Sequence, residues 1–446
     1  MPDQDQTPIP FSSNPPLIVP RSEHQLSRAN ISASALKVLY RLKQAGFQAH
    51  LVGGGVRDLL LGREPKDFDV ATDARPEEVR QVFRNCRLIG RRFRLAHVHF
   101  GGEIIEVATF RGGQVDEDDD GHLIENGRII RDNVYGTIEE DALRRDFTVN
   151  ALYYNIADFS VIDYAGGLED LRAGRLRLIG GDPERRYRED PVRMLRAVRF
   201  ACKLGFSIDP ACEQPLFDLP HLLGDIPVAR LFEELLKLFL AGTSLDAFEK
   251  LRHYGLFAHL LPATEAALAR EEQAFPLTFV ARGLANTDRR IQEVKPVTPA
   301  FLFAILLWEP VRKRFQTLLD KGLAASEAML LAIDEVGAGT RSLVAVPKRF
   351  GLPMREIWSL QPRFEQRDGK RPHRLMTHPR FRAAYDFLLL RAEAGEADPA
   401  LADWWTRFQG VDEDGRTQMT SGPSKRRRSR RRRRKAPTVD AAGDGA

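Results

Sequence analysis

Residues 51–70, LVGGGVRDLLLGREPKDFDV, bring together three consecutive glycines, an arginine and two aspartates one residue apart. In an extended strand alternate side chains share a face, so Asp67 and Asp69 point the same way, roughly 6 to 7 Å apart at Cβ. Two carboxylates that close repel each other unless a cation joins them. Magnesium suits such a pair, because it takes one or two carboxylates and completes its shell with substrate phosphates. Two such ions can hold the attacking and leaving oxygens of an in-line displacement. Alternating acids also occur on exposed strands that have no role, but the preceding glycines argue for one here. Gly53, Gly54 and Gly55 let backbone N–H groups approach a phosphate closely, and Arg57 on the following turn adds a charged donor. The pattern is neither GxGxxG nor a P-loop with its lysine, so neither of those nucleotide folds is implied. A phosphate cradle beside a metal pair implies nucleotide chemistry.

Three further groups carry charge in usable patterns. Glu106, in EIIEVATFR, either aims a third carboxylate at the metals or forms a salt bridge within the sheet, with Arg111 just past it. RRDFTVNAL gathers Arg144, Arg145, Asp146 and Asn150, a cluster suited to a triphosphate and ribose and equally to helix-end pairing. In EDPVRMLRAVRFACKLG, Arg193, Arg196 and Arg199 recur every three residues and form one stripe, while Leu195, Val198 and Cys202 form another face. The stripe is either a solvated surface or a surface that wants phosphates. Glu189 and Asp190 sit at its N-terminal end, where their charge suits the helix dipole. Asp190 and Arg193 also set an acceptor beside a fork of donors, able to read the Watson–Crick edge of a base without a template strand.

The elements that position these residues follow from periodicity. ALKVLYRLKQAG places Leu36, Leu39, Tyr40 and Leu42 at helical spacing and stops at Gly46. FQAHLV reads as a strand running into the glycines, VRDLLL as a short helix ended by Gly62, and DFDVAT as a strand. Pro76 opens a helix over 76–85. FRLAHVHF and IIEVATF flank Gly101-Gly102 as a β-hairpin. This mixed α/β region ends near residue 165, and leucine-rich helical segments dominate to about residue 408. VDEDDDG, residues 115–121, lacks the ligand spacing of a calcium loop and reads as a solvated loop.

At 446 residues the chain is too long for one core and implies two to four domains. With 43% hydrophobic and 29% charged residues it reads as soluble and globular. The sequence holds no apolar run of roughly 18 residues, and its N-terminus lacks a signal core, so a cytoplasmic location is expected. Cys86, Cys202 and Cys212 have no CxxC or Cys/His spacing, which disfavours disulfides and structural zinc. The net charge of +5 is misleading, because KRRRSRRRRRK at 425–435 alone supplies ten positive charges. Setting that run aside, and adding back Asp440 and Asp444 beyond it, leaves −3 over residues 1–424. Such a run repels itself and is expected to be a disordered tail available to RNA phosphates.

Taken together, LVGGGVRDLLLG…KDFDV, IIEVATFR, EEDALRRDFTVNALYY, IDYAGGLEDLRAGRLRLIG and RYREDPVRMLRAVRFACKLGF resemble the class II nucleotidyltransferases of the polymerase β superfamily, which comprise the tRNA CCA-adding enzymes and the bacterial poly(A) polymerases. The resemblance covers roughly residues 35–410. RNCRLIGRRFRLAHVHFGGEIIEVATFR, HPRFRAAYDFLLLRAE and the arginine-rich end look like the poly(A) polymerase branch. The resemblance implies an α+β fold: a polymerase β-like nucleotidyltransferase head with a mixed sheet (31–165), then an all-helical neck (166–235) and an RNA-binding body and tail (236–410). A flexible segment (1–30) precedes these and a disordered arginine-rich tail (411–446) follows. It implies Asp67 and Asp69 as magnesium ligands in a two-metal site and Asp146 as a further catalytic carboxylate. Gly54, Gly55 and Arg57 are implied in triphosphate binding with Arg145, Arg196 and Arg199, and Asp190 and Arg193 in base selection. No histidine–aspartate phosphohydrolase dyad is present. The expected activity is template-independent addition of AMP from ATP to RNA 3′ ends. The alternative is CCA addition to tRNA, and an RNA-binding protein without catalysis is a third, less favoured class.

Overall fold

The computed structural model describes residues 15–90, 94–112, 122–125, 128–132, 134–271, 279–340, 344 and 346–421. The acidic stretch 115–121 and the arginine-rich run 425–435 lie outside them. The chain divides into two compact units, Met1–Arg355 and Glu356–Ala446. The boundaries expected at 165 and 235 both fall inside the first.

The first unit begins with an edge strand, β1 (Leu17–Val19). Residues 1–14 of the expected flexible lead-in lie outside the described residues, and for the rest, to residue 30, the expectation is corrected: the prolines suit an edge position, and Leu26 and Ile31 behind them are buried. Helix α1 (Ala33–Gln44) starts where the Ser32 hydroxyl accepts from the Ala35 N–H at 3.1 Å. It buries Val38, Leu39 and Leu42 and ends before Gly46 at φ +92°. Next come β2 (Ala49–Val52), α2 (Gly54–Leu60), β3 (Asp69–Thr72) and α3 (Pro76–Val82). Strands β4 (Cys86–Ile89), β5 (Leu95–Phe100) and β6 (Glu103–Thr109) follow. The β5–β6 hairpin turns at Gly101-Gly102 as expected, with Phe100 opposite Glu103. β7 (His122–Glu125) and β8 (Arg128–Asp132) pair only with each other. Helix α4 (Ile138–Arg144) leads into β9 (Leu152–Asn155) and β10 (Val161–Asp163).

Eight strands form one sheet in the order β1-β10-β9-β2-β3-β6-β5-β4. Every neighbouring pair is antiparallel except β3 and β6. The single parallel pair matters for function, because it sets Glu106 directly beside Asp69. Beyond β10 the regular elements among the described residues are helices, apart from a two-residue pairing of Arg175–Leu176 with Ser207–Ile208 and a single bridge from Leu178 back to Phe147. Helices α5 (Gly167–Ala173), α6 (Pro183–Glu189), α7 (Val192–Leu204), α8 (Pro210–Asp218) and α9 (Val228–Phe239) carry the arginine stripe and its supports. The fold is α+β, a mixed sheet followed by helices, as expected. In the second unit four helices close over Phe364, Phe381, Trp405 and Phe408, with the Trp405 indole donating to the Phe364 carbonyl at 2.9 Å. The last of them, Glu413–Thr420, corrects the expectation of a disordered tail from residue 411: the Asp412 carboxylate caps it by accepting from the Gly415 N–H at 2.9 Å, and Met419 packs against that core.

Candidate active site

The glycine turn is built by backbone requirement. Gly53 has φ +72° and ψ −133°, a conformation that side chains resist. The first bond into α2 runs from the Arg57 N–H to the Gly53 carbonyl at 3.1 Å, leaving the N–H groups of Gly54, Gly55 and Val56 without intrahelical acceptors. A Cβ on Gly55 would lie 3.6 Å from the Asp67 carbonyl oxygen and 3.6 Å from the Phe68 ring. These are ordinary contact distances, so the turn packs directly against the backbone that carries the carboxylate pair.

Phe68 and Val70 are buried while Asp67 is exposed and Asp69 half-buried, so the two aspartates share the open face. The regular strand begins only at Asp69, leaving Asp67 at its mouth. Burial and then the neighbouring charge of Glu106 push the Asp69 carboxyl up to about 6, opposed in part by Arg145 and aided last by Asp67. The Glu106 carboxylate meets the His97 imidazole at 3.0 Å, a pairing within the sheet, and its charge is also felt by Asp69. Among the described residues no three ligating side chains converge on one point. The aspartate pair together with phosphate oxygens nonetheless makes the hard oxygen set that magnesium takes.

The segment after α4 is organised differently. Arg145 donates to Asp141 at 2.9 Å and to the Tyr153 hydroxyl at 3.0 Å, and that hydroxyl donates to Asp141 at 2.6 Å. Arg145 also lies close to Gly53, whose Cβ would sit 3.6 Å from its Nη1. Asp146 accepts from the Phe147 N–H at 2.8 Å, from Asn150 at 3.2 Å and from the Arg196 Nε at 2.7 Å. Against the effect of burial, Arg196 and these hydrogen bonds hold its carboxyl at about 2. Asp146 therefore sits in an arginine's fork instead of on the open face with Asp67 and Asp69. Arg57, expected to face phosphate, is only 2% exposed. It pairs with Asp58 at 2.7 Å, donates to the Asn150 side chain and lies 5.3 Å from the Phe200 ring centre.

Along α7 every third residue is partly exposed, Arg193, Arg196 and Arg199, while the residues between them are buried. Arg199 differs from the other two. It stacks over Phe200 at 4.3 Å, and its buried Nε has no hydrogen-bond partner. Burial and then the charge of Arg196 push its guanidinium down to about 10. Arg193 donates to the Arg186 carbonyl at 2.6 Å and to Glu189 at 3.1 Å. Asp190 is gripped by both terminal nitrogens of Arg230 on α9, at 2.9 and 2.7 Å.

Sequence reasoning missed Asp141, Tyr153, Arg186, Arg230 and Glu234. Arg186 fastens α6 to the Arg145 carbonyl at 2.8 Å. Glu234, 6% exposed, leaves one carboxylate oxygen without a hydrogen bond, and its charge reaches Arg196 and Arg199. A signal existed for two of these: Arg230 and Glu234 lie on one face of a leucine-rich helical segment, at i, i+4 spacing.

A glycine cradle, a carboxylate pair and an arginine stripe on this fold define a nucleotidyltransferase, and comparison with known proteins agrees. Family models described as "Poly A polymerase head domain", "Probable RNA and SrmB- binding site of polymerase A" and "Polymerase A arginine-rich C-terminus" match residues 49–177, 205–268 and 321–437. Poly(A) polymerase I of Salmonella typhi is 51% identical over 430 residues, 94% of this chain and 92% of that protein. The Haemophilus influenzae poly(A) polymerase I is 46% identical over 90% of each chain. A Lactobacillus helveticus CCA-adding enzyme is 39% identical over 49% of this chain and 53% of its own. The solved Bacillus stearothermophilus CCA-adding enzyme in complex with CTP superposes at a TM-score of 0.56 with 28% identity, covering 84% of this chain and 82% of that one. The chain belongs to the poly(A) polymerase I family.

Proposed function

We propose that this site carries out template-independent polyadenylation, joining AMP from ATP to the 3′ end of RNA and releasing pyrophosphate. The observation that carries the assignment of roles is the uncompensated pair Asp67 and Asp69, with the Asp69 carboxyl at about 6, beside a glycine turn with free N–H groups. In the reaction the RNA 3′ oxygen bonds to the α-phosphorus as the bond from that phosphorus to the β-phosphate oxygen breaks. Asp67 and Asp69 would hold magnesium, in a one- or two-ion arrangement. When bound, the metal supplies neutralisation of phosphate charge and lowers the pKa of the attacking hydroxyl. Gly54 and Gly55 present N–H donors to the triphosphate. Arg196 and Arg199 add positive charge, and Arg145 completes that side beside Gly53. Asp190 and Arg193, held by Arg230 and Glu189, are suited to the adenine edge, which offers one donor and one acceptor. Asp146 and Arg57 act by fixing their neighbours.

RNA is the expected partner, with the run at 425–435 suited to its phosphates. No helix among the described residues is long and apolar enough to cross a membrane. The described cysteines are free and buried, which accords with the cytoplasmic setting expected from the sequence.

CCA addition uses the same cradle and stripe, so product length separates the two. Purified protein incubated with an unstructured RNA and ATP should yield a broad ladder of extended products and incorporate little CTP. Repair of a tRNA lacking CCA, with no ladder on the unstructured RNA, would reverse the choice.

A further inference from the structure

The arginine helix α7 and the loop that delivers Asp67 are fastened together one turn beyond the last arginine of the stripe. Helix α7 ends at Gly205, and the Gly205 and Phe206 N–H groups both turn back to the Ala201 carbonyl. The carbonyls of Lys203 and Leu204 then lack donors from the helix itself. Arg63 fills that gap from the loop between α2 and Asp67, with Nη1 on the Lys203 carbonyl and Nη2 on the Leu204 carbonyl, each at 3.2 Å. A guanidinium fork matches two adjacent carbonyls at the negative end of a helix dipole. Beside it the Lys203 ammonium meets Asp58 of α2 at 3.4 Å.

These links close a circuit. Asp58 pairs with Arg57 at 2.7 Å, Arg57 donates to Asn150, Asn150 donates to Asp146 at 3.2 Å, and Asp146 accepts from Arg196 of α7 at 2.7 Å. From Arg196 the helix itself runs two turns to Lys203 and so returns to Asp58. The glycine helix, the 146–150 segment and the arginine helix are thus held to one another at two separated points along α7. Asp146–Arg196 is one, and the Arg63 and Lys203 clamp is the other.

We infer that Arg63 is a positioning residue for the reaction: by gripping the C-terminal carbonyls of α7 it fixes the nucleotide-binding arginines relative to the carboxylate pair that its own loop carries. The inference rests on the reading of α7 as the ATP-binding helix. Its consequence is specific. Loss of the clamp leaves the arginines themselves intact, so ATP still binds, but the bound triphosphate is held less accurately against Asp67 and Asp69. Misplacement on the order of 1 Å is enough to cost a large factor in rate.

The test compares full-length wild type with Arg63→Ala, Arg63→Lys, Lys203→Met and the Arg63→Ala/Lys203→Met double variant. Single-turnover AMP incorporation at saturating ATP and RNA, the Kd for an ATP analogue blocked between the α- and β-phosphates, and the melting temperature are measured for each. Arg63→Ala should slow incorporation about tenfold, by the positioning argument above, with analogue affinity within about twofold of wild type. Arg63→Lys, which can still reach one carbonyl, should recover part of the rate. The double variant should lose more than the two single losses combined, because the links act in parallel on one helix end. A rate near wild type in both Arg63→Ala and the double variant overturns the clamp, as does a lowered melting temperature with no change in rate. A loss of analogue affinity that accounts for the whole rate change also overturns it, because Arg63 would then act on binding. Failure of the underlying reading looks different: Arg199→Ala would keep full analogue affinity.

Discussion

The open face of β3 and the segment from α4 to α7 contain the same chemical groups in opposite states. At the mouth of β3, Asp67 and Asp69 stand beside Glu106 of the neighbouring strand β6, which meets the His97 imidazole, and the Asp69 carboxyl rises to about 6 because of burial and its acidic neighbours. On the other side Asp141 and Asp146 each accept from an arginine, and those contacts hold both carboxyls below their usual range despite burial. Folding has neutralised one set of acids internally and left the other to be neutralised from outside. Uncompensated charge beside N–H groups that lack helical acceptors is what a cation and phosphates would complete. Compensated charge marks the frame that ties helix α7, which carries Arg199, to the 146–150 segment.

The strongest way to break this contrast is to remove a carboxylate from the open set. Asp67→Asn is nearly isosteric and should leave the fold intact while losing at least ~10²-fold in rate, on the scale of deleting one preorganised electrostatic stabiliser. Steady-state AMP incorporation across a magnesium titration measures it. Activity close to wild type would remove Asp67 from the metal set and leave the pair without the role given to it.

A smaller effect is expected on the arginine stripe, and it should differ by position. Arg199 has a buried Nε with no partner, so Arg199→Ala should weaken binding of ATP and CTP alike. The loss should be about tenfold or more, the scale of one charge-assisted hydrogen bond of ~1.5 kcal/mol. Arg193 is already engaged by Glu189 and the Arg186 carbonyl, and its variant Arg193→Ala should cost more with ATP than with CTP. Competition between the two nucleotides reads both effects. Equal losses for the two variants with both nucleotides would place base choice elsewhere.

How much of this was legible follows the same division. The glycine turn, the aspartate pair and the hairpin are local patterns, written within twenty residues or so, and each appears near its expected position. The three-residue spacing of Arg193, Arg196 and Arg199 likewise required only helix geometry. What could not be read was which charges would find partners. Asp146 meets Arg196 fifty positions later and Asp190 meets Arg230 forty later, and no local period encodes such pairings. The burial of Arg57 was hidden for the same reason, since Asn150 and Phe200 reach it only through the fold. The edge strand Leu17–Val19 was obscured by its prolines, which suit a strand paired on one side only.

The smallest and most discriminating effect concerns stability in the absence of divalent metal, where one substitution made at two aspartates should act with opposite sign. For Asp69 the folded carboxyl, at about 6, lies above its ordinary value of 3.8. Between those values the folded state keeps a proton that the unfolded chain has released, so stability falls as pH rises from about 4 to about 6 and stays lower above. For Asp146 the folded carboxyl, at about 2, lies below 3.8. Its contribution is therefore present above about pH 4 and is lost as pH falls through about 2. At pH 7 Asp69→Asn removes a repelled charge and should raise the unfolding free energy by about 1–3 kcal/mol, two pKa units being the upper bound. Asp146→Asn leaves Arg196 without its counter-ion and should lower it by a similar amount. Denaturant melts of the two variants in chelator, at pH 7 and again at pH 4.5, measure both terms. The Asp69→Asn gain should shrink at the lower pH while the Asp146→Asn loss persists. Two destabilised variants with no pH difference between them would mean that the open face carries no uncompensated charge.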